Sequence, residues 1–293
     1  MQKRLFKLAL LASFFTFAVS LSGGAEPPET VKSMDLGEIK IILLSEGDRT
    51  GNSSILLNAA AEDQRRYIPG GVFPSAVNAF LVKTGDKIIL IDTGYGRELF
   101  RNLQTAGVSP EDVDAVLLTH MHGDHIGGLL REGKIAFPNA DIYVAVGELD
   151  YWKGKSAAET LKPYGGKVKT FTPGELDQAA AGGIRAESLF AGIYPIAAYG
   201  HTPGHTMYLI QNGNADRCLI WGDITHAMAI QMPLPGVSVT YDVDPAQAAK
   251  TRQTVLEWAA AQNASIAGMH IAFPGAGKIQ KNDRQGFVFV PAK

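Results

Sequence analysis

The chain has 293 residues, of which 46% are hydrophobic and 19% charged, with 27 basic side chains against 29 acidic ones and a net charge of −2. That composition excludes a collagen-like or disordered chain and lacks the basic excess of a nucleic-acid binder. The length suffices to bury a sizeable core without staples, and with a single cysteine the chain has no intrachain disulfide. Cys218, in Cys-Leu-Ile-Trp, reads as a small hydrophobe in a buried strand.

In chain order, Lys3, Arg4 and Lys7 precede an uncharged apolar run from Leu8 to Val19, and small residues follow in Ala18-Val19-Ser20 and Gly23-Gly24-Ala25. This is the layout of a secretory signal peptide over residues 1–25, too short for a comfortable membrane span. The expectation is an exported, periplasmic protein with a mature domain over 26–293. No second long apolar stretch follows, so stable membrane insertion of the mature chain is not expected.

Residues 26–34 lack periodicity. Ile39–Leu44, Phe80–Val82 and Lys87–Asp92 are β-rich runs bounded by turn residues. Residues 46–75 mix Gly, Asn, Arg and Pro and predict a long binding loop. Helices are expected at 97–106, 124–131 and 147–153, with a capped turn at 109–112 and strands at 113–119 and 141–146. Strands then dominate near 167–171, 184–188, 193–199, 206–211 and 217–222. A helix opening on Pro245 runs to Gln262, and strands at 265–268, 277–279 and 286–290 end the pattern. Two sheets between helical layers accommodate this order.

Three of the seven histidines fall in His120-Met-His122-Gly-Asp124-His125, directly after the apolar strand Asp114–Thr119. Imidazole and carboxylate are the usual ligands of hydrolytic zinc. Alternation in an extended segment turns His120 and His122 to one side. A turn at Gly123 then swings Asp124 and His125 toward a neighbouring position, so one segment serves two metals. His205 in Gly200-His-Thr-Pro-Gly-His205, Asp223 after Cys218–Gly222 and His270 after Ala267–Met269 each sit at a strand C-terminus, where they can gather at one rim.

This constellation, with Leu90-Ile-Asp92-Thr-Gly94, resembles the metallo-β-lactamase superfamily across nearly the whole mature chain. The resemblance implies a four-layer αββα sandwich, an α/β fold, with a dinuclear centre at one edge. By resemblance, His120, His122 and His205 bind the first metal, Asp124, His125 and His270 the second, and Asp223 bridges them. The ions are divalent; these ligands suit zinc, with iron, manganese and cobalt as alternatives. Two such ions would supply a hydroxide to attack a carbonyl or phosphoryl centre, and Asp124 is a candidate to relay a proton from it to the leaving group.

Around that set, Asp92 is a candidate to accept the far N–H of a metal-bound imidazole. His201 and Thr206 flank the Pro203-Gly204 turn and are expected to orient His205. Trp152, Tyr151, Met228 and Met232 are candidates for an apolar pocket wall, with His226 facing the substrate.

Redox diiron members of the family carry Glu where this chain has His122, and several β-lactamases lack a counterpart of His125 or Asp223. Within the family the sequence resembles the methyl-parathion-hydrolase-like group, neighbours of the N-acyl-homoserine lactonases. Ala136-Phe-Pro-Asn-Ala140, Asp150-Tyr-Trp152, His201–Thr206, His270-Ile-Ala-Phe-Pro-Gly275 and Phe287-Val-Phe-Val-Pro291 carry that similarity. It implies hydrolysis of a lactone or organophosphate ester, with a small-molecule substrate, no nucleic-acid partner, and a homodimer as one permitted assembly. A β-lactamase proper and a non-catalytic binding protein on the same fold are the alternatives.

Overall fold

A computed structural model describes residues 29–177, 183–213 and 216–292; the expected signal peptide lies outside them. A seven-stranded sheet runs in the order 31–36, 39–52, 72–84, 87–91, 115–117, 141–145, 168–171. Its first four strands pair antiparallel and the remainder parallel. A six-stranded sheet follows in the order 193–197, 206–212, 216–220, 265–267, 276–281, 287–291, antiparallel except where 216–220 meets 265–267.

Alternation of side chains explains why the central strands are apolar on both faces. From the strand Ile39–Asn52, Ile41 and Leu43 turn inward to meet Ile193, Tyr208, Ile210, Cys218 and Ile220 of the other sheet. Ile42 and Leu44 turn outward and pack with Leu99 and Leu103 of the helix Leu99–Thr105. On the far side, Leu209, Leu219 and Ile266 pack under Val255, Leu256, Trp258 and Ala259 of the helix Pro245–Ala261. That helix starts where expected: Asp244 accepts a hydrogen bond from the Gln247 N–H, and Pro245 occupies the first turn. The result is the αββα order of layers. No helix among the described residues is long and apolar enough to cross a membrane.

The expected loop at 46–75 is the largest departure from the sequence reading. The strands Ile39–Asn52 and Val72–Thr84 stay paired out to Asn52↔Val72, past a register shift between Ser45 and Asp48. The helix Ala61–Tyr67 sits between them in the chain, and Leu56–Leu57 pairs with Ser238–Val239. Backbone pairing continues beyond the point where the alternating apolar pattern stops, because only one face of these arms is covered. The helix expected at 124–131 is also shorter, spanning Gly123–Ile126 before a 3₁₀ turn over Gly127–Leu129.

Cys218 lies wholly inside the inter-sheet core, and burial pushes its thiol up to about 12. A thiol with so little thiolate and no solvent access does not react. Native protein at pH 8 is therefore expected to leave an aromatic disulfide reagent uncleaved over an hour. One thiol per chain should titrate once guanidinium unfolds it; rapid labelling of the native form would contradict the placement.

Candidate metal centre

Both sheets deliver their strand ends to one rim. The Thr206 N–H donates to the Thr119 carbonyl at 2.9 Å and the Tyr208 hydroxyl to the Leu118 carbonyl at 2.7 Å, which joins the histidine segment to the second sheet. Asp223 follows the strand Asp216–Ile220, His270 follows Ser265–Ala267, and the turn 200–205 follows Ile193–Ala197.

Three imidazole nitrogens converge there. His120 Nε2 lies 2.9 Å from His122 Nδ1, which lies 3.0 Å from His201 Nε2. His201 Nε2 is in turn 3.2 Å from Asp223 Oδ2. A single proton can bridge one nitrogen pair but not all of them, so lone pairs are forced together unless a cation sits between. Tetrahedral zinc with nitrogens at about 2.0–2.1 Å places its ligands about 3.3 Å apart, close to the spacing found. A second group stands beside the first: Asp124, His125 and His270. His125 Nε2 is 3.3 Å from Asp223 Oδ1, and His270 Nε2 is 3.1 Å from Asp223 Oδ2. Asp223 thus stands between the groups. His125 Nε2 and Asp223 Oδ1 are buried and make no hydrogen bond, although buried polar atoms are normally satisfied. The donor set and these orphaned atoms fit two divalent cations.

His201 occupies the place expected of His205. The His205 ring is buried with both nitrogens engaged: Nδ1 with the Ala198 carbonyl at 2.9 Å, and Nε2 accepting the Asp223 N–H at 3.0 Å. Gly222 makes room for it, since a Cβ there would lie 2.3 Å from His205 Nε2. His205 therefore sits under the Asp223 backbone and does not join the cluster.

The far nitrogens of the clustered rings are held. His125 Nδ1 meets Asp92 Oδ2 at 2.6 Å, and Asp92 also accepts the Thr119 N–H and hydroxyl. His201 Nδ1 meets Asp242 Oδ1 at 2.8 Å, and His270 Nδ1 meets the Ala76 carbonyl at 2.9 Å. Such contacts fix ring orientation and leave the opposite nitrogen for a metal. Asp92 has the kind of contact the sequence suggested. Asp242 was missed: it reads as part of the helix entry Tyr241-Asp-Val-Asp-Pro245, and nothing local ties it to a residue 41 positions earlier.

Charge divides the rings. Burial lowers His120 well below the ordinary histidine value, and lowers His122 and His226 to about 4. Burial also opposes charge on His125, but Asp223, Asp124 and Asp92 outweigh it and hold that ring well above the usual range. His201 is likewise raised to about 9, with hydrogen bonds to Asp223 and Asp242 overcoming burial. Burial pushes the Asp223 carboxyl up, yet the facing imidazoles, His125 first among them, bring it well below the carboxylate range.

A cavity of about 390 Å³ opens over Asp124, His122 and His270, walled by Arg49, Phe73 and Tyr95 among others. His226 also lines it. Trp152 does not; its indole stands edge-on behind His122, ring centroids 5.6 Å apart, and donates to Glu148. Met228 packs against the core under the second sheet, where Met232 is buried. Tyr151 packs on Trp152, and the Thr206 hydroxyl donates to the Gly204 carbonyl within the turn. The walls Arg49 and Phe73 come from the stretch expected to be a loop, whose mixed composition concealed its paired strands.

Known proteins share this fold. The crystal structure of the hydrolase AbOPH in the beta lactamase superfamily aligns with TM-score 0.79 and 27% identity, over 92% of this chain and 99% of that one. AidC, a dizinc quorum-quenching lactonase, aligns with TM-score 0.79 and 27% identity over 90% and 97%. YobT of Bacillus subtilis (strain 168) is 30% identical over 164 residues, 55% of this chain and 65% of its own length. The chain spans less than two thirds of the length of the first curated relatives it matches. The Metallo-beta-lactamase superfamily profile matches residues 72–266, and with two stacked sheets carrying a shared-carboxylate histidine centre at their rim, the chain belongs to that superfamily.

Proposed function

We propose that the protein is an exported, periplasmic, dinuclear metal-dependent hydrolase of a lactone or organophosphate ester. The observation that carries this reading is the convergence of His120, His122 and His201 on one point, with Asp223 shared by a second group. The first cation would be held by His120 Nε2, His122 Nδ1 and His201 Nε2, the second by Asp124, His125 Nε2 and His270 Nε2, with Asp223 between them. Zinc suits these nitrogen and oxygen donors best, and iron, manganese or cobalt fit the same set. Such cations supply Lewis acidity to a carbonyl or phosphoryl oxygen.

The chain's own residues do the rest. Asp124 is the carboxylate of the centre most open to the cavity, its side chain 20% exposed against 2% for Asp223. His125 and His270 outweigh its burial and hold its carboxyl below the usual value. It is therefore ionised at neutral pH, and its exposure to the cavity places an Oδ to take a proton from the attacking water and pass it to a departing alkoxide. Phe73 and Tyr95 offer apolar and aromatic surface to an acyl or aryl group. The similarity to AidC, a lactonase, supports a lactone, and the similarity to the hydrolase AbOPH supports hydrolysis.

The test is metal analysis of purified protein with turnover of N-hexanoyl-homoserine lactone, a phosphotriester and a cephalosporin, for the wild type and Asp124→Asn. About two metals per chain and turnover of the lactone or the phosphotriester are expected, with Asp124→Asn slower by about 10²–10⁴-fold. Cleavage of the cephalosporin alone would move the protein to the β-lactamases. Full turnover by a two-metal Asp124→Asn variant would remove the proton relay.

A further inference from the structure

Glu148, in the helix Val146–Trp152, is only 1% exposed, and no basic side chain among the described residues forms an ion pair with it. A carboxylate in that position must be satisfied by hydrogen bonds or it destabilises the fold. Four donors surround it, two on each oxygen. Oε1 accepts the Met121 N–H at 2.8 Å and the Trp152 indole N–H at 2.7 Å. Oε2 accepts the Thr202 hydroxyl at 2.5 Å and the Gly204 N–H at 3.1 Å.

The division between the oxygens has a consequence for the centre. Met121 lies between His120 and His122, and the Trp152 ring stands behind His122. Thr202 adjoins His201, and Gly204 belongs to the same turn. One oxygen therefore grips the arm carrying two ligands of the first group, while the other grips the arm carrying the third. The turn is pressed hard onto the helix: a Cβ on Gly204 would lie 2.1 Å from the Glu148 backbone nitrogen. None of the four donors belongs to Asp124, His125 or His270.

We infer that Glu148 is a positioning residue that sets the separation of His201 from the His120–His122 pair, and so the metal affinity of the first group alone. This rests on the dinuclear reading above. Only a carboxylate meets all four donors, because an amide turns one oxygen into an N–H pair. Of the four, only the Thr202 hydroxyl can rotate to accept; two backbone N–H groups and the indole cannot reverse. A glutamine at 148 therefore places its NH₂ toward Thr202 and Gly204, where one donor is opposed, and loosens the His201 arm.

The experiment is a zinc titration of metal-stripped full chain against a competing chelator, comparing wild type, Glu148→Gln and Thr202→Val, with the melting temperature of each metal-free protein. Two equivalents are expected for the wild type. In Glu148→Gln one equivalent should bind about 10–100-fold more weakly, the effect typical of losing a residue that orients a ligand, while the other stays within about threefold. Thr202→Val, which removes one donor and keeps the carboxylate, should weaken the same equivalent by less. Two unchanged equivalents, or equal weakening of both that follows the melting temperature, would overturn the inference. If Glu148→Gln does not fold, Thr202→Val decides by the same criteria. A wild-type chain that takes up no zinc overturns the dinuclear reading itself, a result distinct from unaltered binding by the variants.

Discussion

Replacing Asp223 by asparagine is expected to reduce metal content from two ions to one or fewer and to lower kcat/KM by about 10³-fold. The carboxylate is 2% exposed and lies within ion-pair range of five imidazoles: His120 at 3.6 Å, His125 at 3.3 Å, His201 at 3.2 Å, and His226 and His270 at 3.1 Å. Its Oδ2 faces His120 and His201 of the first group and His270 of the second, while Oδ1 faces His125, so its loss would disturb both groups. Asparagine keeps the volume and one carbonyl oxygen but removes the full negative charge that offsets buried positive charge around it. Metal ions stabilise transition-state charge by several kcal/mol; a loss of about 4 kcal/mol corresponds to the stated factor at 1.36 kcal/mol per decade. Metal analysis after dialysis, with kinetics on whichever ester the wild type cleaves, reads both effects. Two retained ions with activity within tenfold of wild type would show that Asp223 is not shared.

The arrangement separates two tasks that a metal hydrolase must combine. Rigid strand ends from both sheets fix the donor atoms, and the far nitrogens of His125, His201 and His270 are tied to Asp92, Asp242 and the Ala76 carbonyl. The cavity wall, by contrast, is assembled from the paired arms around Arg49 and Phe73. Under the proposed function, donor geometry would rest mainly on the strand ends and substrate fit would draw on these arms, with Ala76 of the strand Val72–Thr84 serving both; variation in such walls lets one fold serve many chemistries.

Most of the clustered side chains were legible because they stand close together in the chain or directly behind apolar runs. His120, His122, Asp124 and His125 lie within six residues behind an apolar strand, and Asp223 and His270 each follow a run that buries in a sheet. What sequence could not weigh was the turn from 200 to 205. His201 and His205 lie either side of Pro203-Gly204, and both are histidines at a strand boundary. The choice depends on the turn packing against Glu148 and on Gly222 leaving space below Asp223, contacts between segments far apart in the chain. Asp242 and Glu148 escaped notice for the same reason. Each reads as an ordinary residue of a helix or its entry, and acquires a role only through a partner on another element. The misread stretch 46–75 failed differently: hydrophobic periodicity reports burial, and the strand arms there extend past the covered core.

The two histidines of that turn give the sharpest test of the site. His201→Ala removes a nitrogen that lies 3.0 Å from His122 Nδ1 and leaves Asp242 without its imidazole partner. One metal equivalent should be lost, and activity should fall by about 10²–10³-fold as the Lewis-acid contribution of that ion disappears. His205→Ala removes a ring whose nitrogens serve the Ala198 carbonyl and the Asp223 N–H. Leaving two buried groups unpaired costs about 1–3 kcal/mol each, and the cavity adds to it. This variant should therefore unfold at lower temperature yet still bind two ions at 10 °C. Measuring stoichiometry and melting temperature on both proteins separates a ligand from a support. The reverse pattern, with His205→Ala losing an ion and His201→Ala keeping both, would return the ligand role to His205 and require the turn to take another conformation when metal is bound.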